Sequence, residues 1–417
     1  MPSWIFFGTP LFGHTNPTLS VVAELVRRGE RVVYYNSERF ADAIRETGAE
    51  FRPYIGFPEM PPVFSTRMLN HVPIMAEATE VFLDSQLREI QAESPDFVIH
   101  DVVAIWGAEA ARLLQRPRMT SVPSFLVNDS VLGLARRIMP RDLRPGGSSV
   151  RWSDVPMLWS VFRQRHRTNR KHGLAYKRIR ELAHSDFNVV FTSASLQPFA
   201  EEFGEEFRFV GSPAAERNET GDFPFEQLTG APLVYISLGT LFNDRPDLFQ
   251  LCFDALGELD VQVILSQGKA GAASTAWKAP ANFLIRSYVP QLAILERADA
   301  FVTHAGIGSA SEALSRGVPQ VLLPQIWDGY LMSHQIAQAG AGILLPEAPS
   351  AAELRDAVTC VLGDPSFRQK SLELGRELSA AGGAARAADE IQGWASQQTT
   401  PAETSPRSSS NGRLAVG

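Results

Sequence analysis

Short apolar runs alternate with helical periodicities from the first residues onward. Ile5 to Gly8 reads as a buried strand, a helix follows over about Pro17 to Arg28, and Arg31 to Tyr35 reads as the next strand ahead of another helix. In the first helix Leu19, Val22, Ala23 and Val26 fall at i, i+3, i+4 and i+7, which lines one face with apolar side chains. Asn16 reads as its N-cap, Pro17 as its first residue and Gly29 as its stop. Phe97 to His100, a helix near Ala104 to Leu114, Asn188 to Thr192 and Phe207 to Val210 continue the series. Short apolar strands alternating with crossover helices predict a parallel sheet, so the first half is expected to be α/β.

From Gly211 to about Pro224 the chain turns polar and rich in Pro and Gly, and residues 213–224 read as an interdomain linker. A second series then begins with Leu233 to Leu238, Val261 to Ser266, Phe283 to Arg286, Ala300 to Thr303 and Gln320 to Leu323. The expected fold is therefore α/β, with two doubly wound parallel-sheet domains over 1–212 and 225–380 facing one cleft. A helix over 381–396 is expected to return to the first domain, and 397–417, too poor in apolar residues to order itself by burial, reads as a disordered tail. Open α/β sheets bind ligands beyond the carboxyl ends of their strands, which directs the search for chemistry to the strand-to-helix loops.

Composition narrows the partners. Among 417 residues the net charge is −7 and the pI about 5.7, which argues against nucleic acid as the main partner. With only Cys252 and Cys360 there is no disulfide scaffold and no Cys-rich zinc site, and a cytoplasmic location is expected. No apolar stretch approaches the roughly 18 residues of a membrane span. The opening Trp4 to Gly8 lacks a preceding basic region and reads as a core strand, not a secretion signal. The absence of Asp-x-Asp and of a His/carboxylate cluster with metal spacing leads to the expectation of no metal and no cofactor.

Two loops carry candidate chemistry. The first, Gly8 to Pro17, does not make Gly-x-Gly-x-x-Gly, which disfavours a nicotinamide dinucleotide. It places His14 just before a helix N-terminus, where the positive dipole end disfavours protonation and keeps the imidazole available as a base. A structural loop histidine is the other reading. Asp101 follows the Phe97 to His100 strand and emerges at the same sheet edge, either as a partner for His14 or as a cap for the next helix. The second loop, Thr303 to Leu314, ends a buried strand, carries Gly306 and Gly308, and opens a helix at about Ser309, whose free amides suit an anion. Ser309 and Glu312 also match a capping box, which requires no ligand.

Ser287-Tyr288-Val289-Pro290-Gln291 lies upstream of this loop, and Gly317-Val318-Pro319, Pro324-Gln325 and Asp328 lie downstream. The run from Tyr288 to Asp328 resembles the nucleotide-sugar signature of GT-B glycosyltransferases, in the branch that includes plant secondary-product and bacterial macrolide-type enzymes, and the resemblance extends over most of 1–395. It implies an N-terminal acceptor-binding domain and a C-terminal nucleotide-sugar domain. Tyr288 would stack on the base, with Val289 beside it among the nucleotide-sugar contacts, Gln291 would bond near base and ribose, and Glu312 would accept from the ribose hydroxyls. His304, Gly306, Gly308 and Ser309 would hold the diphosphate, with Ser237, Gly239 and Thr240 closing on it. His14 falls on the family's catalytic base, Asp101 becomes its partner, and Asp328 would contact the sugar.

The implied reaction is metal-independent, inverting transfer from a UDP- or dTDP-sugar to a hydrophobic small molecule by a monomer or weak dimer. Where many relatives carry Asp-Gln, whose Gln contacts sugar hydroxyls, this chain has Asp328-Gly329, so a simple glucose preference does not follow; UDP-glucose is the most frequent donor among such relatives, while a dTDP-deoxysugar would need fewer polar contacts. Phe12, Phe57, Met60, Phe64, Met68, Phe82 and Phe125 are candidate acceptor contacts, although ordinary core packing is the commoner fate of any one such side chain. The run Arg163 to Arg180 holds eight Lys/Arg and two histidines, and reads as a solvated helix face or as a contact for a membrane surface. Competing functions are a lipid or sterol glycosyltransferase and a catalytically silent GT-B protein.

Overall fold

The computed structural model describes residues 2–58, 68–144, 150–213, 223–239, 245–268 and 278–399. The first half contains β1 (Ser3–Phe7), β2 (Arg31–Asn36), β3 (Glu50–Pro53), β4 (Phe97–Asp101), β5 (Arg118–Val122), β6 (Asn188–Val190) and β7 (Phe207–Phe209). They form one parallel sheet in the order β3-β2-β1-β4-β5-β6-β7. The second half contains β8 (Leu233–Ser237), β9 (Gln262–Ser266), β10 (Phe283–Arg286), β11 (Ala300–Thr303), β12 (Gln320–Leu322) and β13 (Gly342–Leu344), ordered β10-β9-β8-β11-β12-β13, again parallel. Strand order reverses between β1 and β4 and between β8 and β11, and crossovers diverging at such a point leave a crevice at the carboxyl ends.

The apolar opening run is explained by two dry faces. Trp4 and Phe6 join Tyr34, Phe97 and Ile99 on one side, under Val21, Val22 and Leu25 of the helix Phe12–Arg27. Ile5 and Phe7 join Val33, Tyr35 and Val98 on the other, under Phe82 and Trp106 of two further helices. In-register neighbours stack, Trp4 on Phe97 at 4.6 Å and Phe6 on Tyr34 at 4.4 Å. Such pairs add about 0.5–1.5 kcal/mol each beyond burial, and a one-residue slip would exchange both faces at once.

Three strands lay outside the sequence reading. β3 is an edge strand carrying Glu50 and Arg52, β13 has three residues, and β5 is polar, with Thr120 buried against His100 and Ser185. In β3 and β5 the polar side chains interrupt any apolar run that would announce a strand. The first helix also begins at Phe12, not Pro17, with Leu11 in place of Asn16 as N-cap and Pro17 inside it. Pro17 leaves the Gly13 carbonyl without its helical donor yet remains compatible with the early turns. His14 thus sits in the first turn itself.

The last helix, Gly383–Thr399, extends into the expected tail and packs on the first half. Trp394 stacks with Phe187 at 5.7 Å, and Arg28 bonds Asp389 at 2.6 Å. Replacing Trp394 by alanine empties a buried ring site and should lower unfolding free energy by about 3–5 kcal/mol, read as a shifted denaturant midpoint at unchanged slope. A loss below about 1 kcal/mol would mean that this helix is not part of the core. The two chain crossings between halves run side by side: the Gly383 amide donates to the Val210 carbonyl at 2.6 Å. Gly211 (φ +77°) leaves room that a Cβ would close to 2.3 Å from the Leu378 carbonyl oxygen. Beside them, Phe125, Val131, Leu134 and Leu196 pack with Ala305, Leu331 and Met332 in an apolar cluster joining the halves.

Candidate active site

The turn after β1 and the end of β4 bring His14 and Asp101 together. The His14 Nδ1 lies 2.9 and 3.0 Å from the two Asp101 carboxylate oxygens. Asp101 is buried, while the His14 side chain keeps 20% of its exposure and so reaches the cleft. The Thr9 hydroxyl donates to Asp101 Oδ1 at 2.7 Å and the Val103 amide to the same oxygen at 2.9 Å. Asp101 therefore partners His14 and ties down the turn after β4, but it does not cap the next helix, Ile105–Leu114, whose N-cap is Ala104 without a side-chain bond. An Nδ1–H donated to a carboxylate leaves Nε2 as the free basic atom. Burial pushes the His14 imidazole down, but the charge and hydrogen bond of Asp101, with a further contribution from Asp328, raise it above its ordinary 6.5 overall.

Thr9 was not anticipated, although it stands beside Gly8 in the quoted loop. Its carbonyl accepts the Thr15 hydroxyl, whose oxygen accepts from Asn36, and all three side chains are buried. At Gly8 a Cβ would fall 2.5 Å from the Tyr34 ring, so glycine is what lets the turn settle on this network. Beneath the pair, His100 donates from Nδ1 to the Asp101 carbonyl and accepts from Arg118 at 2.8 Å. Burial and the Arg118 charge press it down to about 3, so it is neutral.

Across the cleft, His304 follows β11 and its ring lies between two glycines. A Cβ on Gly239 (φ +81°) or on Gly306 would each come within 2.5 Å of that ring. Ala305 turns the chain with φ +59°, a left-handed conformation costing about 1–2 kcal/mol for a residue with a Cβ. The helix Ile307–Ser315 then starts with Gly306 as N-cap and no side-chain cap. Ser309 sits inside its first turn, so the capping-box reading is overturned: Glu312 is instead engaged by Gln291 Nε2 at 2.6 Å. Gln291 also donates to Ser309 Oγ at 3.2 Å and accepts from the Tyr235 hydroxyl at 3.0 Å. Tyr235 was missed, being an ordinary strand residue by sequence. A Cβ on Gly308 would meet open space. Burial lowers His304 to about 4, with a backbone contact from Ser237 offsetting part of this, so it is neutral.

Ser237 ends β8, and its hydroxyl accepts from the Gly239 amide at 3.4 Å. Tyr288 is 66% exposed, whereas the Val289 side chain is buried in the core of the second domain. Asp328 lies in the first turn of the helix Trp327–Gln338, and burial raises its carboxyl above the ordinary value against the opposing influence of His14. The helices Phe12–Arg27 and Ile307–Ser315, one from each half, also contact one another. Thr240, Met60 and Phe64 lie outside the described residues, and of Met68 only the backbone is described.

The acceptor candidates divide. Phe12 is exposed and packs edge-on against Phe40 at 5.0 Å, and Phe57 is half-buried, stacked on Tyr54 at 4.5 Å. Phe82 and Phe125 are corrected to core residues. Phe82 meets Phe7 and Tyr54 edge-on, and Phe125 belongs to the cluster joining the halves. Among the described residues no group of three or more His, Cys, Asp or Glu is arranged to hold a metal ion.

Residues 250–391 match the family described as Erythromycin biosynthesis protein CIII-like, C-terminal domain. The chain is 32% identical over 418 residues to the uncharacterized UDP-glucosyltransferase YojK of Bacillus subtilis, spanning 96% of this chain and 100% of that protein. It is 31% identical over 396 residues to the NDP-glycosyltransferase YjiC of the same organism, with 94% and 97% covered. A solved structure described as the glycotransferase of kitacinnamycin superposes with a TM-score of 0.80 at 26% identity, over 94% of this chain and 98% of that one. With two facing parallel-sheet domains and this likeness along almost its full length, the chain belongs to the GT-B glycosyltransferases of the macrolide and NDP-sugar type.

Proposed function

We propose that this glycosyltransferase moves a sugar from a nucleoside diphosphate, UDP or dTDP, to a hydroxyl of an apolar natural product, with inversion and without a metal ion. The observation that carries the reading is the His14–Asp101 pair, with His14 under the influence of Asp328 from the opposite domain. His14 Nε2 takes the acceptor hydroxyl proton, the oxygen forms a bond to the anomeric carbon, and the carbon–phosphate-oxygen bond breaks on the opposite face. Diphosphate charge is met by the uncapped amides of Ile307, Gly308 and Ser309 and by the His304 N–H. Tyr288 offers a ring face to the base, and Glu312, held by Gln291, accepts from ribose hydroxyls.

General base catalysis supplies about 10²- to 10⁴-fold, roughly 3 to 5 kcal/mol, against the 8–23 kcal/mol that enzymes typically remove. Positioning donor and acceptor across the cleft must supply much of the remainder. A nucleotide-sugar donor is supported by the relatives' names, a natural-product acceptor by the likeness to the glycotransferase of kitacinnamycin, and an apolar one by exposed Phe12.

The test incubates the purified chain with UDP- and dTDP-sugars and phenolic and macrolide acceptors, following products by mass spectrometry and anomeric configuration by NMR. Inverted product at a rate unchanged by EDTA is expected. Retained configuration, or a rate abolished by EDTA and restored by magnesium, would overturn the mechanism, and donor binding without product would favour the silent reading.

A further inference from the structure

The basic run that the transfer reaction does not use lies on the helix Val155–Lys171 and the segment after it. Its inward face buries Val161, Arg165, Thr168 and Asn169. Its outward face and the flanking segments carry aromatic rings exposed among the described residues: Trp159 is 59% exposed, Phe162 and, after the helix, Tyr176 are exposed, and Trp152 just before the helix is 93% exposed. The rings form one patch, Trp159 stacked on Phe162 at 5.6 Å and Phe162 against Tyr176 at 5.5 Å. Interleaved with them are the exposed Arg163, His166, Arg167, Arg170 and Lys171. Arg167 and Lys171 are paired with Glu80 and Asp84, whereas Arg163 and Arg170 enter no ion pair among the described residues. No acidic residue occurs from Val155 to Arg180, in a chain whose net charge is −7.

We infer that this face docks on an anionic lipid bilayer. Contiguous exposed aromatics mark an interaction surface, and Trp and Tyr beside Arg and Lys is the composition that sits at a headgroup boundary. Cations there are drawn to anionic lipids, complementing a charge that the rest of this acidic chain would repel. A second copy meeting the same patch across a two-fold axis would set arginine against arginine. Direction adds a functional link. The helix Val72–Glu93 leads back to the start of β4, so it begins on the cleft side of the sheet. The basic helix runs parallel to it, Gln164 and Arg167 meeting Glu80 and His172 meeting Asp84. Its aromatic end therefore lies toward the cleft rim, and docking presents the acceptor side of the cleft to apolar molecules dissolved in the membrane.

The full chain should float with vesicles containing phosphatidylglycerol and not with phosphatidylcholine alone. Raising salt from about 0.1 M to about 1 M, which shortens screening from about 10 Å to about 3 Å, should release it. Arg163→Glu with Arg170→Glu should lower the partition coefficient about tenfold or more, as should Trp159→Ser with Phe162→Ser, while Arg376→Glu on a distant helix leaves it unchanged. Unchanged near-UV circular dichroism checks folding, and transfer to a water-soluble acceptor should be unaffected, which separates this idea from the catalytic reading. Equal binding to neutral vesicles, no binding at low salt, or equal effects of patch and distant substitutions would overturn it. So would a self-associated species that the same substitutions dissolve in the absence of lipid.

Discussion

His14→Ala is expected to lower kcat/KM by about 10²- to 10⁴-fold while leaving donor affinity close to that of the unaltered enzyme. The side chain reaches the cleft from the first helical turn, and the elements proposed to hold the donor come from the other sheet, so removing the ring should not disturb them. In the unaltered enzyme the rate should fall as pH drops through a value above 6.5, because the raised imidazole must lose its proton before it can accept another. Steady-state kinetics and nucleotide titration together read both halves of this expectation. A rate within threefold of the unaltered enzyme would remove His14 from the chemistry, and a parallel loss of donor binding would make its role structural.

Asp101→Asn should be nearly as damaging, and more so than Asp101→Ala. The Thr9 hydroxyl and the Val103 amide both donate to Oδ1, so an asparagine there is held with its carbonyl toward them and its NH₂ toward His14. That NH₂ donates to Nδ1 and forces the ring proton onto Nε2, the atom that must act as base. The equivalent tautomer trap in the Ser-His-Asp arrangement lowers kcat by about 10⁴-fold. Alanine removes the partner without imposing the wrong tautomer. In the alanine variant the acid limb of the pH profile should move to lower pH, since the charge and hydrogen bond of Asp101 are lost while burial, which lowers His14, remains with only Asp328 opposing it. An asparagine variant as active as the alanine one, or a limb that stays in place, would show that Asp101 does not govern the proton on His14.

Much of the site was legible because its residues stand next to strand ends. Strands with two dry faces must be apolar, so β1, β4, β8 and β11 stood out, and the residues directly after them were the candidates. Thr9, Tyr235 and the Gln291–Glu312 bond escaped, since their roles depend on partners far along the chain. The helix starts at Phe12 and Ile307 were misplaced for a related reason. Asn16-Pro17 and Ser309-Glu312 carry good local capping chemistry that the packed structure does not use.

The order of apolar runs, their lengths and the glycines between them determined the two parallel sheets and the edge at which chemistry gathers, because burial on both faces and tight turns leave a direct imprint on residue type. Which face of each sheet takes a given aromatic, that Phe82 and Phe125 are sealed from the cleft, and that Trp159 and Phe162 face outward were decided only in three dimensions. An apolar side chain is compatible with core, pocket and docking surface alike, and what distinguishes them is the set of neighbours that folding supplies.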